Sequence, residues 1–284
     1  MSPLILTVRY CFAPTLFLGA NGVAIWMVTA GLPEVSLAIL LGIAILVTFI
    51  AERIAPYEQM WNHPQDDRVR DIVHATVNEG SSIFAVALLP MISSFGIGGN
   101  LWPHELPLWV QLLVAILIAD FGITLAHFAS HRISWLWSLH AVHHSVKRLY
   151  GFNGLMKHPL HQTIELIAGT LPLIVLGMPQ DIAALLALAV AAQLLLQHTN
   201  ANIRVGPLGY VWAVAPGHRL HHRASETEGD VNFGLFTLIW DHLLGTFRYP
   251  HEPVRKDEIG LAGRIAYPVT YLDQLIEPFG KTKC

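Results

Sequence analysis

Residues 108–131 read LWVQLLVAILIADFGITLAHFASH. From Leu108 to His127 the only charged side chain is Asp120. About 20 apolar residues suffice to cross the hydrocarbon core of a bilayer, so this stretch predicts a membrane helix. It runs into His127 and His131, four residues apart and therefore stacked on one helical face. An apolar span that ends in paired imidazoles sets the two questions for the rest of the chain: how many such spans there are, and what the imidazoles hold.

Composition answers the first in outline. Of 284 residues, 53% are hydrophobic and 13% charged, and the mean hydropathy is +0.48. So few charges cannot cover a water-facing surface, which points to an integral membrane protein. The net charge of −3 gives no reason to expect a nucleic-acid partner. The two cysteines, Cys11 and Cys284, lie at opposite ends of the chain and allow one disulfide between them, but they form neither a framework nor a C-x-x-C motif. The apolar N-terminal stretch lacks a basic n-region and reads as an uncleaved span, with signal cleavage near Ala30 as the alternative.

Further spans are predicted at 12–30, 33–51 and 72–96, the last interrupted by Glu79 and small polar residues. A block at 163–197 is broken at Gly177-Met178-Pro179 into helices of about 15 and 18 residues, short for full spans, which allows a re-entrant hairpin. The expected fold is therefore an all-α integral membrane protein with four transmembrane helices, a short helical hairpin and a cytoplasmic helical cap. No Lys or Arg falls between Arg9 and Arg53, between Arg70 and Arg132, or between Lys157 and Arg204. Six membrane segments with both termini inside put all 17 on the cytoplasmic side. The organisation expected is membrane helices in 1–107, a catalytic domain in 108–250 and a cytoplasmic tail in 251–284.

Thirteen of the 16 histidines lie between His127 and His251. They form HFASH (127–131), HAVHH (140–144), HPLH (158–161), a single His198, and HRLHH (218–222). At this histidine frequency, a given H-x-x-H-H is expected roughly 0.05 times per chain by chance, and two are present. Every cluster maps to the cytoplasmic face in the topology above. His63, His74, His104 and His251 read as ordinary satisfied core residues. Eight clustered imidazoles exceed what one tetrahedral zinc takes and suit two metals sharing a site. Zinc, copper, iron and nickel all accept imidazole. No H-E-x-x-H is present, so a zinc metalloprotease lacks its general base.

The order H-x(3,4)-H, H-x-x-H-H, then a distant second H-x-x-H-H resembles the fatty acid hydroxylase superfamily, which includes sterol desaturases, sterol methyl oxidases and alkylglycerol monooxygenase. The resemblance covers about residues 110–250 and extends to ADFGITLAHFASH, LWSLHAVHHS, KHPLH and NFGLFTLIWDHLLGTF. It implies a di-iron site bound by His127, His131, His140, His143, His144, His218, His221 and His222, with His198 as the ligand between the two H-x-x-H-H motifs. Asn202 stands where some relatives place a further histidine. His242 stands where relatives usually have arginine and is not counted as a ligand. His158 and His161 are expected either to coordinate or to lie beside the site. Asp120, seven residues before His127, is expected to accept a ring N–H, since intramembrane carboxylates usually face a functional interior. Asn232 and Asp241 fit a similar orienting role.

What the resemblance implies further is an oxidoreductase that uses O2 and two electrons to hydroxylate an aliphatic C–H bond of a membrane lipid. Desaturation on the same site is the first alternative. A histidine-rich metal transporter or store is the second, disfavoured because the spans hold few ionisable groups, such as Glu34, Glu165 and Asp181, and the histidines collect at one face. No haem or flavin module is visible, so electrons are expected from an external cytoplasmic carrier, a ferredoxin or a small haem protein with its reductase.

Overall fold

Proline and glycine set the helix ends in the computed structural model, which describes residues 1–95, 98–225, 227–263 and 266–280. Helix α1 (Pro3–Thr29) opens on proline, with the Ser2 hydroxyl accepting the amide of Ile5. Helices α2 (Val35–Ile54) and α3 (Arg68–Ser94) follow, and Pro107 immediately precedes α4 (Leu108–Ser130). After the short α5 (Ser134–His144), α6 (Pro159–Leu176) starts with proline in the first turn, where its missing N–H costs nothing. Gly177, at φ 89°, ends α6 in the left-handed region, and Pro179 caps α7 (Gln180–His198). The polar end is completed by α8 (Ala215–His221), α9 (Ile239–Leu244) and α10 (Tyr271–Ile276). The fold is all-α, with no strand among the described residues.

Six of these helices, α1 to α4, α6 and α7, are long and apolar enough to cross a membrane. The hairpin helices have 18 and 19 residues rather than about 15 and 18. The gain in α6 is at its start: His158 turns its own Nδ1 onto the amide of Leu160 at 3.1 Å, so the helix begins at Pro159 rather than near residue 163. The interrupted third stretch is one continuous helix. Its small polar residues are absorbed locally, as where the Ser81 hydroxyl donates to the Val77 carbonyl at 2.9 Å.

Helix α7 is the axis of the bundle: Ile182, Leu185, Ala189, Leu195 and Leu196 are buried against the surrounding helices. Gly122 of α4 lies directly against the backbone of Ala168 in α6, and Gly169 packs on Ile123, so small residues bring the two helices into close approach. The connections 30–34, 98–107 and 177–179 lie at one end of the bundle and contain no Lys or Arg. At the opposite end, where α4 and α7 finish, loops and short helices build a cap.

The cap has its own small core, in which Val142 of HAVHH and Leu220 of HRLHH pack with Trp61, Leu149, Met156 and Val254. The apolar positions inside the two motifs thus serve packing, while the histidines face inward. Arg148 ties the cap to the start of α3 through two hydrogen bonds to Asp67, at 2.6 and 2.8 Å. Glu52, at the end of α2, accepts the amides of Gly151 (2.6 Å) and Asn200 (3.0 Å) and so holds both loops that flank the histidines. Of the four histidines read as core, only His74 is buried, between the Lys157 carbonyl and Gln274. His63, His104 and His251 sit in surface loops and are exposed. Cys11 is exposed on α1, and Cys284 lies outside the described residues.

Candidate metal centre

An α-helix turns about 100° per residue, so positions i and i+4 lie near one another while i+3 falls to the other side of i. H-x-x-H-H therefore offers histidines in two directions. In HAVHH, His140 and His144 join one group and His143 the other; in HRLHH the split is reversed, with His221 in the first group and His218 and His222 in the second. His127 and His131, at the end of α4, complete the first group, and His198, the last residue of α7, completes the second. Within each group the ligand atoms lie within 4.8 Å of one another. The groups adjoin, with the rings of His144 and His222 stacked at 4.6 Å.

Ring tautomers show what the groups suit. His127 gives its Nδ1 hydrogen to the Phe233 carbonyl (2.8 Å) and His221 gives its own to the Val231 carbonyl (3.0 Å). In the neutral rings both Nε2 atoms are then lone-pair acceptors, yet they face each other at 2.9 Å. The second group repeats the pattern. His143 donates to the Met156 carbonyl (2.8 Å) and His198 to that of Leu194 (3.0 Å), and their Nε2 atoms meet at 3.1 Å. Facing lone pairs are stabilised by a cation between them. A proton is a poor one here: burial, then the crowd of neighbouring rings, holds His140, His143, His144, His218, His221 and His222 well below the ordinary histidine range. Neutral imidazoles that give Nδ1–H to carbonyls and turn Nε2 inward are what a metal ion needs. His131 fits as well: Nδ1 bonds Asp230 at 2.9 Å, and Nε2 is buried without a protein partner.

The carbonyls come from a braced segment. Asn232, at φ 56°, donates to the carbonyls of Gly217 and Arg248, tying the segment to the start of HRLHH. Asp241 accepts the amides of Phe233 (2.7 Å) and Gly234 (2.9 Å). Asp120 touches no histidine: its carboxylate accepts the amides of Leu235, Phe236 and Thr237, the Thr237 hydroxyl and the Trp240 indole. The expectation of a direct ring contact is corrected, because the returning loop brings five donors to this carboxylate. Asp230, the partner of His131, lies outside the motifs, and its only signal in the sequence is a carboxylate two residues before Asn232.

The remaining candidates fall outside both groups. His161 bonds Ser130 Oγ at 2.9 Å and packs on His140 with ring centroids 4.4 Å apart. His158 has both nitrogens engaged, one capping α6 and the other at the Leu275 carbonyl, 3.3 Å away. Asn202 donates its backbone N–H to the Ala55 carbonyl and lines a surface cleft instead. His242 bonds the Tyr210 carbonyl and stacks on Phe247. Gly154 touches the site through what it lacks: a Cβ there would stand 2.6 Å from His198 Nδ1.

A cavity of about 250 Å³ runs between α3, α4, α6 and α7, with walls including Leu89, Ala119, Ile174, Leu186 and Val190. At its cap end stand Glu79, Ser82, Lys157, Gln162 and Glu165, with Lys157 paired to Glu165. Ile123, Lys157, Glu165, Leu194 and Leu235 are shared between this cavity and a small space lined by His127, His140, His143, His198 and His218. An apolar volume inside the bundle thus abuts the imidazoles.

Comparison with known proteins agrees with this arrangement. The sequence profile described as Fatty acid hydroxylase matches residues 112–246, the stretch that carries all nine clustered histidines. The ornithine lipid hydroxylase of Rhizobium tropici is 34% identical over 248 residues, covering 84% of this chain and 73% of the relative. Alkylglycerol monooxygenases of Caenorhabditis elegans and Homo sapiens are 27% and 28% identical over 169 and 140 residues. Those alignments cover 60% and 49% of this chain, and the chain spans about a third of either relative's length, 32% and 31%. No solved structure matches. With a family profile that spans its histidine motifs and a relative aligned over most of both lengths, this chain belongs to the fatty acid hydroxylase family.

Proposed function

We propose that the protein is a multi-pass membrane di-iron oxygenase that hydroxylates an aliphatic C–H bond of a lipid, using O2 and two electrons. The observation that supports this best is the pair of adjoining imidazole groups at the end of an apolar cavity. His127, His131, His140, His144 and His221 would hold one iron, and His143, His198, His218 and His222 the other. Iron bound there supplies the redox chemistry that activates dioxygen toward an unactivated C–H bond. The chain's own part is positioning. The carbonyls of Val231, Phe233, Met156 and Leu194 fix ring tautomers, Asp230 raises the basicity of His131, and the apolar walls hold a lipid and keep water out.

The relatives are named hydroxylase and monooxygenase, which favours oxygen insertion over desaturation. The ornithine lipid hydroxylase, aligned over most of this chain, makes an aminolipid the substrate class to test first. The distribution of Lys and Arg, all 17 near the cap end in sequence, supports a cytoplasmic cap and cytoplasmic termini. Electrons would then arrive from a cytoplasmic ferredoxin or a small haem protein with its reductase. Residues 108–250 form the catalytic unit in this reading, with 1–107 as membrane helices and 251–284 as a cytoplasmic tail. The test is incubation of the purified protein with ornithine lipid, a ferredoxin and its reductase, and labelled O2, followed by mass spectrometry. A product carrying one labelled oxygen is expected; a product lacking two hydrogens, or unlabelled lipid with no oxygen uptake, contradicts the proposal.

A further inference from the structure

Glu79 is a carboxylate on a membrane helix that lines the cavity without a hydrogen-bond or ion-pair partner among the described residues. Such a group is costly inside a bilayer and usually serves a ligand. The cation nearest in kind, Lys157, is hydrogen-bonded to Glu165, and both line the same end of the cavity. One positive and two negative side chains therefore share that end, and of the two carboxylates Glu79 is the one that Lys157 does not contact. Around it stand neutral hydrogen-bonding groups, Ser82 and Gln162, while the far end of the cavity is apolar.

We propose that Glu79 is a specificity residue that binds a primary ammonium in the headgroup of the substrate lipid. The proposal deepens the lipid-hydroxylase reading and rests on it. A cationic headgroup at Glu79 leaves the acyl chains along Leu89, Ile174 and Leu186 and brings the polar end of the lipid beside the imidazoles. A neutral headgroup would leave the half-buried carboxylate without a hydrogen-bonding partner, and the site discriminates against it for that reason.

The test measures binding, independently of turnover. Full-length protein in a neutral maltoside detergent is titrated, by native mass spectrometry, with ornithine lipid and with phosphatidylethanolamine, each beside its N-acetylated form. The wild type should favour the free amine in at least one pair by about tenfold to a hundredfold, the worth of one charged hydrogen bond. Whichever pair shows the advantage identifies the source of the ammonium. Glu79→Gln should bring that ratio to about one while binding of the N-acetylated lipid stays unchanged. If Glu79→Gln binds neither form, Glu79→Asp decides: preference kept supports the assignment, preference lost with neutral-lipid binding intact overturns it. A variant Glu79→Gln that retains the preference, or a wild type without one, overturns the role of Glu79 and leaves hydroxylation untouched. A wild type that neither binds nor converts any of these lipids overturns both.

Discussion

His127 and His221 face each other Nε2 to Nε2 at 2.9 Å, and each has already given its Nδ1 hydrogen to a backbone carbonyl. Removing one ring should therefore remove a ligand from the first group and leave the second complete. His127→Ala is expected to hold about one iron where the wild type holds two, with activity down by at least about a hundredfold. Elemental analysis of the purified variant checks this, and full iron content with full activity would count against the assignment.

Asp230 orients His131 from the rim of the cap, held in turn by Arg132. Outer partners of metal-bound histidine typically contribute ten- to a hundredfold in metal affinity. Asp230→Ala should lose iron to a chelator at about that lower concentration, whereas Asp230→Asn, which keeps an acceptor oxygen, should lie between. Equal chelator resistance in all three proteins would show that Asp230 is only a surface residue.

The clustering of the nine histidines was legible in the motif spacing and the family resemblance, but the division of each H-x-x-H-H between two groups was not. The hairpin was legible from Gly177 and Pro179, though not the start of α6, which depends on a histidine acting as its own helix cap. Asp120 illustrates what the sequence hides. Its distance along α4 places it on the stripe of His127, but a loop more than a hundred residues later reaches it first. Backbone carbonyls, which fix the tautomers of His127, His143, His198 and His221, carry no side-chain signature at all.

Acid should weaken the join between cap and bundle. Burial works to raise the Asp67 carboxyl, but the Arg148 guanidinium outweighs it and holds the group below the ordinary aspartate range. A depressed carboxylate stabilises the fold above its unfolded pKa, and the contribution fades as pH falls through the folded value. Asp67→Asn should cost about 3 kcal/mol at neutral pH by leaving buried Arg148 without its carboxylate partner. It should also flatten the loss of stability below about pH 4. Thermal unfolding across pH checks both; a variant with the wild-type pH profile would contradict the argument.

The cavity makes a separate prediction. Ala191 of α7 lines it and is buried, on a different stretch of the helix from His198. Ala191→Phe should raise KM for long-chain lipid by about tenfold with iron content unchanged, because only apolar volume is removed. Loss of iron in step with activity would instead mean that the wall and the metal groups are one rigid unit.

Metal content is the most direct test of a di-iron centre in this protein. Full-length chain, purified from cells supplied with iron and examined by elemental analysis and Mössbauer spectroscopy, should carry two irons in imidazole-rich environments. A chain that takes up no iron on reconstitution, or that binds a single ion however much is offered, would contradict it.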